Sequence, residues 1–93
     1  MRVYNVSYDL DKPGQNYDGL IAELKKSPKW WHYLKSTWLV LTDESADQLW
    51  NRLGRHLDRT DNVLVIQVGR DYSGWLPKEA WDWINANVRG MAA

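Results

Sequence analysis

The chain has 93 residues, 44% of them hydrophobic and 26% charged, with 12 basic residues balanced by 12 acidic ones. That suffices for one compact domain with its own core but not for a second, and a formal charge of zero leaves no bulk field to draw the protein to nucleic acid or anionic lipid. The absence of cysteine excludes disulfides and thiolate chemistry and fits a reducing compartment; with no leader-like apolar region and no run near the length of a membrane span, the chain reads as a soluble, cytoplasmic protein.

In chain order, Val3 to Leu10 alternates as a strand, with Tyr4, Val6, Tyr8 and Leu10 on one face and Val3, Asn5, Ser7 and Asp9 on the other. Lys12-Pro13-Gly14 ends the pattern, because proline cannot donate to a ladder and glycine reaches the dihedrals of a tight exit. Asn16 suits an N-cap, Asp18 the first turn, and Tyr17, Leu20, Ile21 and Leu24 recur at helical spacing; Pro28 places the stop before it. Trp30 to Thr42 is aromatic and β-branched, with a break near Lys35-Ser36 that makes two strands. The second of these puts Trp38 and Val40 on one face and Leu39 and Leu41 on the other, as expected of a central strand or one covered on both sides.

Ser45 and Gln48 form a capping box ahead of Ala46, Leu49, Trp50, Leu53 and Leu57. Val63 to Val68 is a strand apolar on both faces, ended by Gly69. Pro77 suits a first helical position, and Ala80, Trp81, Ile84 and Val88 mark a last helix, in which Trp81 and Trp83 lie about 200° apart and are expected to face different surroundings. The order strand, helix, strand, strand, helix, strand, helix is the α+β, ferredoxin-like βαββαβ arrangement: a four-stranded antiparallel sheet plus a C-terminal helix. It divides the single domain into a core over 1–70 and a helical extension over 71–93. The last core strand then lies at a sheet edge, and its apolar faces predict cover by the segment after Gly69 or by a partner chain.

Several segments resemble a known family: Y-D-L closing the first strand, then P-G-Q-N-Y, W-H-Y-L-K-S-T-W-L-V and D-N-V-L-V-I. Together, from Val3 to about Gly69, they are similar to small bacterial proteins labelled SinR-like. More distantly the chain resembles the small CRISPR-associated ferredoxin-like endonucleases of spacer acquisition and the VapD-type toxin ribonucleases, through the pair Tyr8-Asp9 and through Ser36 with Trp38 to Leu41. The resemblance implies a homodimer in which two copies of Asp9 approach each other and hold a divalent metal, within a defence or toxin system.

On that reading Asp9 is the catalytic candidate, and Asp9 with Asp11 would hold Mg²⁺ or Mn²⁺, hard cations that take few carboxylates and keep several waters. No organic cofactor is expected. Arg52, Arg55 and Arg59 form a stripe with Gln48 and His56 that could meet phosphates, though such stripes are more often a solvated helix face. His32 and His56 lack a second ligand at zinc-binding spacing, and nucleophile-elbow and phosphate-loop motifs are absent. Trp38, Val40, Leu64 and Ile66 are the expected interface residues. Seven Trp and five Tyr without Phe suit rings whose polar tips sit at a margin or an interface. Two function classes follow: a homodimeric, metal-dependent nuclease or nucleic-acid-binding protein, and a non-catalytic protein-interaction or regulatory module with no membrane role.

Overall fold

The computed structural model describes residues 1–11 and 17–88. The exit turn Lys12-Pro13-Gly14 and the N-cap expected at Asn16 lie outside the described residues. The elements are β1 (Arg2–Asp9), α1 (Asp18–Lys25), β2 (Lys29–His32), β3 (Thr37–Thr42), α2 (Ala46–Gly54), β4 (Asn62–Gln67) and α3 (Lys78–Val88). All strand pairs are antiparallel and the sheet order is β2-β3-β1-β4. This is the ferredoxin-like βαββαβ fold with a C-terminal helix. No described helix is long and apolar enough to cross a membrane.

The period-two pattern of β1 decides which face the helices cover. Tyr4 and Val6 are buried with Trp38 and Val40 of β3 against Leu20 and Leu24 of α1 and Leu49 and Leu53 of α2, while Tyr8 and Leu10 pack at the margin. Trp38 is 1% exposed and Val40 fully buried. These two residues are core, not interface, which corrects their assignment from sequence: the register Val6↔Trp38 and Tyr4↔Val40 puts them on the helix side of a central strand. The Trp38 Nε1–H is satisfied there, donating to the Tyr8 hydroxyl at 3.1 Å, and the ring stacks on His32 at 4.0 Å.

The second face is partly covered by the chain itself. Val3 is fully buried with Ile84 and Val88 of α3, and Leu39 and Leu41 border this smaller cluster. Leu39 and Leu41 are therefore packed in part beneath α3 and are not a bare apolar face. Trp81 and Trp83 both border the same cluster, against the expectation from their angular separation. Their rings are long enough to flank one strip of sheet from two sides of the helix.

Local signals account for the helix ends. Ser45 Oγ accepts from the Gln48 N–H at 3.2 Å and the Gln48 side chain accepts from the Ser45 N–H at 2.8 Å, completing the capping box. Ser45→Ala should therefore lower stability by about 1 kcal/mol, read as a shift of the urea midpoint without a change of slope. At α3 the Pro77 carbonyl accepts from the Ala80 and Trp81 N–H groups, so proline stands just ahead of the helix. Its missing N–H costs nothing there.

Candidate functional site

β1 delivers Tyr8 and Asp9 to its C-terminal end, and the pleat separates them: Tyr8 turns into the helix-side core while Asp9 is exposed. Asp9 pairs in register with Asn62 of β4 and borders a shallow depression with Ser7, Asn62 and Leu64. Asp11 is exposed at the strand exit. Its backbone N–H donates to Asp61 Oδ1 at 2.8 Å, and the Tyr17 hydroxyl donates to the same oxygen at 2.9 Å. Asp61 thus ties the β1–α1 connection to the loop before β4. Among the described residues no group of three or more His, Cys, Asp or Glu side chains is gathered for a metal ion.

The arginine stripe is not a free phosphate-binding face. Arg52 Nε and Nη2 donate to both oxygens of Glu44 at 3.1 and 2.8 Å, Nη1 donates to Glu23 Oε2 at 3.3 Å, and Nη2 reaches Ser27 Oγ at 3.0 Å. A second bond from Nη1 goes to the Glu23 carbonyl. Arg55 Nη2 also donates to Glu23, at 3.2 Å, from an exposed position. The helix ends at Gly54 with Arg55 as its C-cap, so Arg59 lies in the following loop, exposed, and not on a helical stripe. Sequence had assigned all three arginines to one polar helix face; the correction is that Arg52 is spent inside the protein.

Its partner Glu23 is 5% exposed. Burial pushes the Glu23 carboxyl up, but hydrogen bonds from His56 and Arg52, together with the charge of Lys26, outweigh it and hold the group below the ordinary carboxylate range. Glu44 is also held low, chiefly by the Arg52 hydrogen bonds acting against burial. Gly19 admits this arrangement, since a Cβ there would stand 2.6 Å from His56 Nδ1, and His56 Nε2 lies 3.3 Å from Glu23 Oε1.

What the described residues leave open is the outer edge of β4. No strand pairs beyond it, and no charge or proline occurs between Asn62 and Gln67. Val63 and Val65 turn to the helix-side core, whereas Leu64 and Ile66 are 56% and 54% exposed on the other face. In register they oppose Ser7 and Asn5 of β1. The segment after Gly69 leads to α3 and leaves both side chains exposed, so the described residues do not supply the cover expected for this edge. Comparison with protein families, curated proteins and solved structures finds no match. The fold and the site rest on this chain's own residues.

The exposed tryptophans are scattered by comparison. Trp75 is 100% exposed in the connection before α3, and Trp50 and Trp30 are exposed on α2 and β2. Lys25 Nζ lies 5.4 Å from the Trp30 ring centre, a cation–π contact that gives this ring a partner of its own.

Proposed function

We propose that this chain is a non-catalytic interaction module that forms a homodimer through the free edge of β4. One observation carries the reading: two neighbouring aliphatic side chains, more than half exposed, on an unpaired and uncharged edge strand. Such an edge offers a row of backbone donors and acceptors for another strand, and natural monomers blunt it with charge, proline or a bulge. A second copy of β4 supplies both the backbone partners and an identical apolar pair, as an isologous twofold contact requires. The cheapest test is size exclusion with light scattering at micromolar concentration. The wild type should elute at twice the chain mass and Ile66→Lys at the chain mass. The circular dichroism of Ile66→Lys should stay unchanged, because an outward-facing substitution alters stability by only about 0.5 kcal/mol. A wild type that stays monomeric across that range removes the homodimer.

A second reading is favoured by the exposure of Asp9 beside Asn62 at the strand end. In it the homodimer is a divalent-metal-dependent nuclease of the kind the chain resembles, Asp9 and Asp11 hold Mg²⁺ or Mn²⁺, and Arg55 and Arg59 contact phosphates. Two carboxylates suit Mg²⁺, which completes its octahedron with water, and a bound cation would lower the pKa of its water for attack on phosphorus. Cleavage of single- or double-stranded RNA or DNA should then need the cation and vanish in Asp9→Ala. Activity that survives in Asp9→Ala belongs to a contaminant and rules this reading out.

A further inference from the structure

An apolar cleft of about 220 Å³ opens on the second face of the sheet, between β2, β3 and the C-terminal segment. Trp31, Tyr72 and Trp81 form aromatic walls, Leu39 and Ile84 lie between them, and Thr37 and Ser73 supply hydroxyls. Among the described residues the lining contains no Asp, Glu, Lys, Arg or His. A charged ligand would lose its hydration there without gaining a counter-ion.

Two features narrow the occupant further. Tyr72 and Trp81 are stacked, with ring centres 6.1 Å apart and planes 14° from parallel, and the Tyr72 hydroxyl is held by a 2.7 Å bond to Asn85 Oδ1. The hydroxyl bond and the near-parallel contact with Trp81 orient the Tyr72 ring before anything binds. Trp31, by contrast, has its Nε1–H shielded from solvent and without a hydrogen-bond partner among the described residues. A buried donor left unmade is costly, and an acceptor brought to it recovers that cost. Trp31 lines the cleft, and a turn of its ring would present the N–H to an occupant.

We propose that this cleft binds a small, uncharged, planar heteroaromatic molecule, which stacks along the Tyr72–Trp81 wall and accepts a hydrogen bond from Trp31 Nε1–H. Leu64 and Ile66 of the β4 edge do not line the cleft, although Asn5, the register partner of Ile66, does. Nothing in the sequence pattern marks it, because Tyr72, Ser73 and Leu76 come from a connection with no periodicity.

Quinoline and naphthalene make a matched pair of probes: the same shape, with and without a ring acceptor. Titrated into the ¹⁵N-labelled full chain, quinoline should shift the indole N–H signals of Trp31 and Trp81 in a saturable way. It should bind about tenfold more tightly than naphthalene, the ratio expected of one recovered hydrogen bond. Quinoline-4-carboxylate should bind more weakly than quinoline. Trp31→Phe keeps an aromatic wall but removes the donor, so it should stay folded and bind quinoline no better than naphthalene. Equal affinity of the wild type for the two probes, or a quinoline preference that survives Trp31→Phe, would overturn the hydrogen-bonding role. The absence of any saturable indole shift at millimolar quinoline would overturn the site altogether.

Discussion

Trp38→Ala is expected to lower the stability of this protein by about 3–5 kcal/mol, the range for removing a buried large aromatic side chain. For a domain of this size that corresponds to a fall in Tm of roughly 15–30 °C. The ring is 1% exposed, stacks on His32 and donates to the Tyr8 hydroxyl, so its removal leaves a cavity on the helix side of the sheet and an unpaired tyrosine tip. Surrounding side chains are held by the strand register and can collapse into that space only partly. Trp38→Phe should cost less, since it keeps most of the packing and gives up the indole hydrogen bond. Urea denaturation at neutral pH checks both. A loss under about 1 kcal/mol for Trp38→Ala, which is the scale of a surface position, would return Trp38 to the interface role its sequence context suggested.

Trp38 also shows where the sequence was readable. The alternation in β1, the two apolar faces of β3 and the Ser45–Gln48 box each follow from a fixed geometric period or a fixed hydrogen-bond reach, and the structure realises all three. Alternation tells which residues share a face. It does not tell which of two apolar faces the long helices take and which is left to α3, and so Trp38 and Val40 were placed at a surface. The β4 edge was legible because topology alone makes it an edge, whereas the path of the segment after Gly69 had no period to read.

The buried ion network had a signal that periodicity does carry. Glu23 stands three residues after Leu20 and one before Leu24, inside the apolar stripe of α1, and Arg52 stands in the same relation to Leu49 and Leu53 of α2. A charge at the i+3 position of an apolar stripe must be satisfied within the fold, because an isolated charge cannot be buried. Two helices each carrying one, of opposite sign, on the same sheet face would be expected to bring them together. Reading Arg52 only with its polar neighbours Gln48 and Arg55 assigned it to the solvated face instead.

Arg52→Met tests that network, and the expected loss is about 3 kcal/mol, at the lower end for breaking a buried pair because Arg52 and Glu44 remain partly exposed. The substitution keeps the side chain's apolar length, so the cost comes from leaving Glu44 without its bidentate partner and Glu23 with one donor fewer. Adding Glu44→Gln should restore part of the loss, since an uncharged amide is cheaper to leave in place, and the two changes should be non-additive in a double-mutant cycle. The same network sets the acid limb. Glu23 and Glu44 titrate below the ordinary carboxylate value of 4.5 in the folded state, so the unfolded chain binds more protons as the pH falls and unfolding is favoured. Their contribution is fully present above pH 4.5 and is lost below it, as the pH falls through the folded values. Arg52→Met weakens the hold on both carboxyls, raises their folded values toward the unfolded one, and should flatten the decline of the urea midpoint between pH 5 and pH 3. Wild type and Arg52→Met falling in parallel over that range would show that the network does not govern acid stability, and an Arg52→Met midpoint equal to that of the wild type at pH 7 would show that Arg52 is not needed to hold α1, α2 and the turn after β3 together.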